Sequence, residues 1–336
     1  VDGFVRIGPG NLSTGTVTAT ESTLVFADNG TANVHIGHEA GGSGKVTLNN
    51  SNLRVGPVGG TTADNEGTLF VGRRCEGELL VQGGSQVSLG NDLDIGLSNA
   101  TADTGNGTVT VTGEGSSISV RDRARIATSN SNDGLTSTGT LNVEAGGQFT
   151  SASLYVGYYK QAVGTLNVTG ASSLVTASTL LRVGHSGTGT MNVGTGAEIA
   201  CGTLEIGKGF DTAVGTVNLN GGTLSTRNIV KAASAQGTLS WNGGTLRPHT
   251  AGQTLQNLTA VQMSTNGAVI GQMVGALNQT AQTLNRTALA QQGALGELVQ
   301  SLRAAAAGLE RLVGEISANP SALLFGQPPP PLPETK

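Results

Sequence analysis

The chain has 336 residues, of which 53 are glycine, 12% are charged and 3% are aromatic. Frequent β-branched residues interrupted by glycine favour short strands joined by tight turns. The formal net charge of −4 argues against a nucleic-acid partner, because phosphate binding needs clustered Lys and Arg side chains. No apolar run is long enough to cross a membrane as a helix.

A Gly-Thr-apolar motif with a similar continuation recurs through the first part of the chain. Typical copies read Gly139-Thr-Leu-Asn-Val and Gly164-Thr-Leu-Asn-Val, and successive copies begin about 22 to 33 residues apart. The copies begin at Gly15, Gly44, Gly77, Gly107, Gly139, Gly164, Gly189, Gly215 and Gly237. Repetition at such intervals is typical of solenoid proteins, whose successive units stack on one another.

Two further short segments lie between successive copies of this motif. One is apolar-x-Val/Ile-Gly, as in Leu154–Gly157, and the other is a short alternating run such as Ser117–Val120. Three strands and three turns in each unit match one turn of a parallel β-helix. We therefore predict a β-solenoid of about nine rungs over residues 1–250. The alternative, a β-sandwich, does not need in-phase copies of one motif.

The repeats of residues 164–207 resemble the passenger repeats of bacterial autotransporters, and the resemblance covers about residues 15–247. The stretch reads GTLNVTGASSLVTASTLLRVGHSGTGTMNVGTGAEIACGTLEIG. In that family the passenger is exported and displayed on the cell surface, often for adhesion or aggregation. The resemblance therefore implies a secreted or outer-membrane-displayed protein, with the periplasm as the alternative. Because Val1 is not preceded by a leader, we expect any signal peptide to have been removed.

An a/d heptad pattern follows the repeats and predicts a long helix over residues 262–318. Its core positions are Ile270, Val274, Leu277, Ala281, Leu284, Ala288, Gln291, Leu295, Leu298, Leu302, Ala305, Leu309, Leu312 and Ile316. We expect the leucines and the polar residue Gln291 of this stripe to form a coiled coil that makes the protein a homo-oligomer. The alternative is that the stripe packs back onto the solenoid or belongs to an antiparallel bundle.

Residues 319–336 form a Pro-rich segment that we expect to be extended, because proline favours the polyproline conformation. The run Asn319–Gly326 followed by prolines resembles the C-terminal end of mammalian-cell-entry (MCE) proteins, which transport lipids in bacterial envelopes. Those proteins also carry a long helix before this end, so the resemblance covers about residues 262–333. It implies an alternative function as an envelope component of lipid transport.

Two groups of residues are candidates for a ligand-contact face. Arg121, Arg123 and Arg125 alternate, which predicts a basic stripe on one face of a strand that binds an acidic glycan or a lipid head group. Tyr155, Tyr158 and Tyr159 form the densest aromatic group and could stack on a sugar. The alternative for both groups is a solvated outer surface.

The sequence does not indicate catalysis, a metal or a cofactor. Cys75 and Cys201 are four repeats apart, beyond the reach of a disulfide, and we expect two free thiols. We expect His35, His38 and Glu39 to be surface polar residues rather than metal ligands. Asp92 and Asp94 share a strand face, as in β-helix enzymes that cut polysaccharides, but no third carboxylate accompanies them.

The sequence therefore predicts a structural rod that acts in adhesion, self-association or spacing and is not an enzyme. Its expected partners are further copies of itself and a glycan or protein on a host or neighbouring cell. The alternatives are the lipid-transport component and, third, a polysaccharide-processing enzyme.

Overall fold

The computed structural model describes residues 3–10, 12–26, 32–57, 67–98, 103–129, 135–209, 212–231, 236–249, 262–265 and 295–318. The chain divides into two compact units, Val1–Ser264 and Thr265–Lys336. Most of the described part of the first unit is parallel β-structure, as the alternating sequence runs predict.

The strands are short where glycine or asparagine interrupts the alternation, and they fuse into longer strands toward the C-terminal end of the solenoid. In chain order they are β1 (Gly3–Ile7), β2 (Thr14–Thr20), β3 (Thr23–Phe26), β4 (Ala32–Ile36), β5 (Ser43–Asn49), β6 (Asn52–Val55), β7 (Leu69–Arg73), β8 (Glu76–Gln82), β9 (Gln86–Leu89), β10 (Leu93–Ser98), β11 (Asn106–Thr112), β12 (Ser117–Val120), β13 (Arg123–Ser129), β14 (Ser137–Glu144), β15 (Gln148–Val156), β16 (Ala162–Thr169), β17 (Leu174–Val183), β18 (Thr188–Gly194), β19 (Glu198–Ile206), β20 (Val214–Lys231), β21 (Gln236–Pro248) and β22 (Gln262–Thr265).

The pairings of β1 to β21 place these strands on three faces of a solenoid, each a parallel sheet. Face A contains β1, β4, β7, β10, β13 and the final parts of β15, β17, β19 and β20. Face B contains β2, β5, β8, β11, β14, β16, β18 and the first parts of β20 and β21. Face C contains β3, β6, β9, β12, the first parts of β15, β17 and β19, the middle of β20 and the end of β21.

The register of face B confirms the repeat. Each motif glycine pairs with the motif glycine of the next rung, from Gly15 with Gly44 through to Gly215 with Gly237. The described strands make about eight turns, because the nine aligned motifs are separated by eight steps. The predicted number of about nine rungs therefore exceeds the number of turns by one. The sandwich alternative is excluded, because every described pairing from β1 to β21 is parallel.

The core of the solenoid consists of columns of apolar side chains that point inward from the three faces. On face B, Leu141 lies between Val109 and Leu166, and all three are fully buried. On face C, Phe149 is fully buried between Ile118 and Val175. Full burial of a side chain of this size contributes roughly 1.5–3 kcal/mol to the free energy of unfolding. One isolated turn could not bury these side chains, so the solenoid is stabilised by the stacking of its rungs.

Two columns of glycine interlock where face A turns into face B. Gly96, the glycine of the apolar-x-Ile-Gly motif in β10, has a φ of 70°. A Cβ atom there would lie 1.8 Å from the carbonyl oxygen of Thr138 in the next rung. A Cβ atom at Gly139 would lie 2.3 Å from the backbone nitrogen of Ala127. These approaches explain why both motifs contain glycine. Ala127 occupies the position of Gly96 one rung later and has a φ of 60°.

The three corners differ in length. The connections from face B to face C are uniformly short, whereas long connections occur both from A to B, as between β10 and β11, and from C to A, as between β6 and β7. The variation in repeat length therefore arises at two of the three corners. The B-to-C corner is held by buried serines that accept hydrogen bonds from the previous rung, such as Ser51 N to Ser85 Oγ (3.0 Å) and Gly84 N to Ser116 Oγ (3.0 Å).

The described part of the second unit is mainly helix α1 (Leu295–Ala318), which ends just before Asn319 and Pro320. The predicted helix does not begin at residue 262, because residues 262–265 are strand β22, in keeping with the low helix propensity of Ser and Thr. Residues 266–294, which include Leu277, Leu284 and Gln291, lie outside the described residues, as does the predicted extended tail 319–336. The coiled coil stays a prediction.

The buried side of α1 differs in part from the predicted heptad. Val299 and Ala306 are buried, and Leu302 and Leu309 are half-buried, whereas Ala305, a predicted core position, is exposed. A straight α-helix has 3.6 residues per turn, so its face drifts away from a strict heptad by about 20° every seven residues. The stripe predicted from the sequence is therefore displaced by one residue at Ala305.

Candidate functional site: the outer surfaces of faces A and B

The outer surface of face A carries a column of large polar and aromatic side chains in adjacent rungs. The strand register brings together Asp94 and Arg125, then Arg125 and Tyr155, then Tyr155 and Arg182, and then Arg182 and Glu205. Neighbouring rungs are about 4.8 Å apart. Arg125 therefore reaches Asp94 and Tyr158. Arg182 reaches Tyr155 and Glu205. The two predicted ligand-contact groups, arginines and tyrosines, thus meet in one place.

The predicted basic stripe is divided and its charge is compensated. Arg123 and Arg125 point outward from β13, but the exposed Arg121 lies before that strand, in the corner between faces C and A. Arg125 donates to both oxygens of Asp94 (2.5 and 2.8 Å) and to Asp92 (3.0 Å), which also pairs with Arg123. The two carboxylates balance the charges of these two guanidinium groups, so Arg123 and Arg125 do not form a stripe of uncompensated positive charge.

The Asp94–Arg125 pair is fixed by burial. The Asp94 residue is 3% exposed, and burial raises the pKa of its carboxyl group, which the Arg125 guanidinium opposes. Burial disfavours the charged form of Arg125, but the attraction of Asp94 and Asp92 outweighs it and raises the pKa of Arg125. The group is therefore a rigid donor and acceptor array whose charges cancel.

Four rings form what we call the tyrosine cluster: Tyr155, Tyr158, Tyr159 and His185. The ring centroids of Tyr158 and Tyr159 are 4.5 Å apart, those of Tyr158 and His185 are 4.8 Å apart, and those of Tyr155 and Tyr158 are 5.0 Å apart. Tyr158, Tyr159 and His185 come from turns that follow face A, and only Tyr155 lies on a strand. Edge-to-face contacts at these distances are favourable for aromatic rings.

Arginine side chains link the tyrosine cluster to the rest of the column. The guanidinium carbon of Arg125 lies 5.8 Å from the centroid of Tyr158, and that of Arg182 lies 5.7 Å from the centroid of Tyr155, within the range of cation–π attraction. Arg182 and Lys208 both donate to Glu205. Burial lowers the pKa of His185 and raises the pKa of Tyr159, which favours the neutral form of both groups.

Sequence reasoning missed His185, Arg182, Glu205 and Lys208 as parts of this cluster. Each lies two residues before or one residue after the glycine of the apolar-x-Val/Ile-Gly motif, namely Gly184 or Gly207. Tyr155 and Tyr158 hold the same two positions around Gly157. An alignment of these motifs within the sequence therefore contained the signal.

The histidines near the N-terminal end are not surface residues, which corrects the expectation for them. The His35 residue is 1% exposed and its ring stacks on Phe70 at 4.7 Å, while His38 is 3% exposed and contacts Arg73 through Nε2 at 2.9 Å. Burial, assisted by the charge of neighbouring groups, lowers the pKa of His35 to about 3. A cationic guanidinium beside His38 disfavours a metal ion at the same place.

Cys75 and Cys201 are free and buried, which confirms the expectation of two free thiols. Burial raises the pKa of Cys75 to about 11 and that of Cys201 to about 12. Within the described ranges, no group of three or more His, Cys, Asp or Glu side chains is placed to hold a metal ion. In the same part of the chain, no helix is both long and apolar enough to cross a lipid bilayer.

The outer surface of face B is different in kind from β11 onward. Glu144 is the one charged residue among the outward positions of β11, β14, β16, β18 and the face B parts of β20 and β21, whereas the earlier strands β5 and β8 carry Lys45, Glu76 and Glu78. The register from β11 to β21 aligns a column of threonines beside a column that is mainly asparagine, and we call these two columns the polar ladder. Its residues are Thr108, Thr110, Thr140, Asn142, Thr165, Asn167, Thr190, Asn192, Thr216, Asn218, Thr238 and Ser240.

The asparagines of the polar ladder are hydrogen-bonded to one another along the rod. Asn167 Nδ2 donates to Asn142 Oδ1 (2.9 Å), Asn192 to Asn167 (2.8 Å) and Asn218 to Asn192 (2.8 Å). Ladders of this kind stabilise stacked parallel strands. They also hold the side chains of the face in one repeated orientation.

The described strands define a parallel β-solenoid whose candidate functional residues lie on the outer surfaces of its faces. No protein-family model, no curated protein and no solved structure matches this chain. The resemblances to autotransporter passengers and to MCE proteins therefore receive no support from these comparisons.

Proposed function

We propose that this protein is a structural rod that acts outside the cytoplasm and associates with further copies of itself through face B. The observation that carries the proposal is the polar ladder, which is uncharged over six successive strands. A chain with a net charge of −4 repels its copies where its charges meet. The ladder is a surface on which that repulsion is small.

The rung spacing of the polar ladder matches that of a second copy of the chain. Two solenoids have the same rung spacing of about 4.8 Å, so side chains of one ladder can lie between those of the other at every rung. An unrelated protein surface does not share this period. Asn and Thr side chains offer both donors and acceptors, so two ladders are complementary in hydrogen bonding as well as in shape.

The size of the face predicts weak pairwise association. Six rungs and the outward positions of one strand span about 24 Å by 20 Å, or roughly 480 Å² on each copy, which is below the ~800 Å² per partner of a standard stable interface. Many rods held close together would associate much more strongly than isolated pairs, because binding becomes multivalent. This suits a protein displayed at high density on a surface. Display on a bacterial cell surface is part of the proposal and rests on the resemblance of the repeats.

Sedimentation velocity over a wide concentration series tests association through face B. Thr165→Lys with Thr190→Lys places two positive charges within the ladder, and like charges on both copies should abolish association. The matched control is Thr150→Lys with Thr176→Lys, which makes the same change in adjacent rungs on the outer surface of face C. We expect the control to associate as the wild type does. A wild-type chain that stays monomeric at millimolar concentration, or equal loss in both variants, contradicts the proposal.

Association through the C-terminal helix is a separate proposal that the same measurement distinguishes. Leu302 and Leu309 are half-buried on α1, and Leu302→Glu with Leu309→Glu should disrupt a helical oligomer. Loss of association in this variant but not in the ladder variant would assign oligomerisation to the helix and remove it from face B.

A further inference from the structure

The tyrosine cluster and its arginine partners form a second surface, on a different face from the polar ladder. Tyr159 is 37% exposed, while Tyr155, Tyr158 and His185 are half-buried around it. The chain has only 3% aromatic residues, so a group of four rings at one corner is a marked local concentration. Exposed aromatic faces and edges pack well against the C–H groups of a pyranose ring, which is apolar on its faces and polar at its rim.

The polar groups around the rings are suited to hydroxyl groups and not to an anion. Arg125 is bonded to Asp94 and Asp92, and Arg182 is bonded to Glu205. These planar pairs present donors and acceptors at their edges, but their charges cancel, so they create little field that would favour a carboxylate or sulfate. The Tyr155 hydroxyl has no hydrogen-bond partner among the described residues, which leaves a donor and acceptor for a ligand.

The geometry along the rod sets the form of the ligand. Arg125, Tyr155 and Arg182 lie in consecutive rungs, so a hydrogen-bonding group, guanidinium or hydroxyl, recurs about every 4.8 Å. This repeat is close to the length of one hexose unit in an extended chain. The pairs with Asp94 and Glu205 hold the arginines in place, so that little side-chain freedom is lost on binding.

We propose that the tyrosine cluster, with Arg125 and Arg182, binds an extended, uncharged oligosaccharide that lies along face A parallel to the rod axis. A sugar ring packs against Tyr159 and Tyr158, and neighbouring hydroxyl groups bond to the Tyr155 hydroxyl and the Arg182–Glu205 pair. The proposal differs from the acidic ligand expected from the sequence, because Arg123 and Arg125 are paired with Asp92 and Asp94.

Isothermal titration and saturation-transfer NMR with defined hexasaccharides test the proposal on the full chain. The probes are cellohexaose, laminarihexaose and chitohexaose as neutral chains, and hexagalacturonate as an acidic chain. We expect at least one neutral chain to bind, with an affinity that changes little with added salt. Binding of none of the neutral chains overturns the proposal. Binding confined to hexagalacturonate and abolished by salt also overturns it, because it would show recognition by charge.

Two tyrosine variants and two control variants locate the binding. Tyr159→Ala should weaken binding about fivefold, in line with the contribution of a stacked ring, and Tyr155→Phe removes only the hydroxyl group and should weaken it about threefold. Val25→Ala, at a residue 44% exposed on face C, is the control and should bind as the wild type does. Equal affinity in the wild type and both tyrosine variants overturns the site. Thr165→Lys with Thr190→Lys should leave saccharide binding unchanged, so that this site and self-association can fail independently.

Discussion

Replacement of Gly139 by alanine tests whether the glycine columns hold the rungs in place. A Cβ atom at Gly139 would lie 2.3 Å from the backbone nitrogen of Ala127 and 2.5 Å from the carbonyl oxygen of Ile95. Ordinary contact begins near 3.4 Å, so backbone must move by about 1 Å in strands that neighbours hold on both sides. Overpacking of well-packed interiors costs about 1–3 kcal/mol. We expect Gly139→Ala to lower the free energy of unfolding by about 3 kcal/mol, because the atoms in its way are backbone and no flexible side chain can move aside.

The matched control is Gly90→Ala. Its nearest atom would be the Cα of Gly56 at 3.3 Å, and Gly90 has no positive φ, so the unfolding free energy should change by less than about 1 kcal/mol. The measurement is urea unfolding followed by circular dichroism, together with amide hydrogen exchange, because a solenoid can open rung by rung. Exchange should accelerate most in β13, β14 and β16. If Gly139→Ala and Gly90→Ala unfold at the same urea concentration, the close approach of the rungs does not limit this position.

Three further predictions concern buried ionisable groups. Burial lowers the pKa of His35 to about 3, so below about pH 6.5 the unfolded chain binds a proton that the folded chain excludes. The contribution of His35 to the free energy of unfolding should therefore be fully present above about pH 6.5. Below that pH the free energy of unfolding should fall by up to about 1.4 kcal/mol per pH unit. Thermal melts between pH 7 and pH 4.5 should show a smaller decline in His35→Phe, and an unchanged pH dependence would contradict this. Asp94→Asn should cost about 3 kcal/mol in urea unfolding, since it leaves the charge of Arg125 without its main partner; a loss below about 0.5 kcal/mol would mean that Asp92 alone suffices. Burial raises the pKa of the Cys75 and Cys201 thiols to about 11 and 12, so at pH 8 a thiol-specific reagent should label the folded protein far more slowly than the protein in urea, and rapid labelling of the folded chain would refute their burial.

The solenoid could be predicted from the sequence because one residue type marks a position that no other residue fills. Gly139 and its equivalents recur where the backbones of adjacent rungs are in contact, so the spacing of these glycines predicts the strand register. The alternation of Leu141 and Val143 with polar neighbours gave the inward face in the same way.

The environment of the outer side chains was less predictable. The alternation of apolar and polar residues predicts on which side of the strand a residue lies, but not which neighbouring side chains cover it. His35 faces outward, yet Phe70 of the next rung stacks on its ring and buries it. Arg125 also faces outward, but its charge is balanced by Asp94, about 30 residues earlier in the chain. Such partners become visible only when motifs of successive rungs are aligned.

Helix boundaries were the least predictable feature. The pair Asn319 and Pro320 gave the end of α1 correctly, because proline disfavours helix in the residue before it. Strand β22 occupies the predicted start. A heptad also assumes a supercoil, and the burial of Ala306 in place of Ala305 fits a straighter helix.

The in-register glycines make the length of this molecule modular. The block from Gly164 to Thr188 contains one complete turn with both glycine positions, and Gly189 begins the next block in the same phase. Duplication of such a block in the gene would extend the rod by one step of about 4.8 Å without leaving any strand unpaired. Recombination between blocks could thus adjust the reach of the rod in fixed increments, while the polar ladder would grow with it.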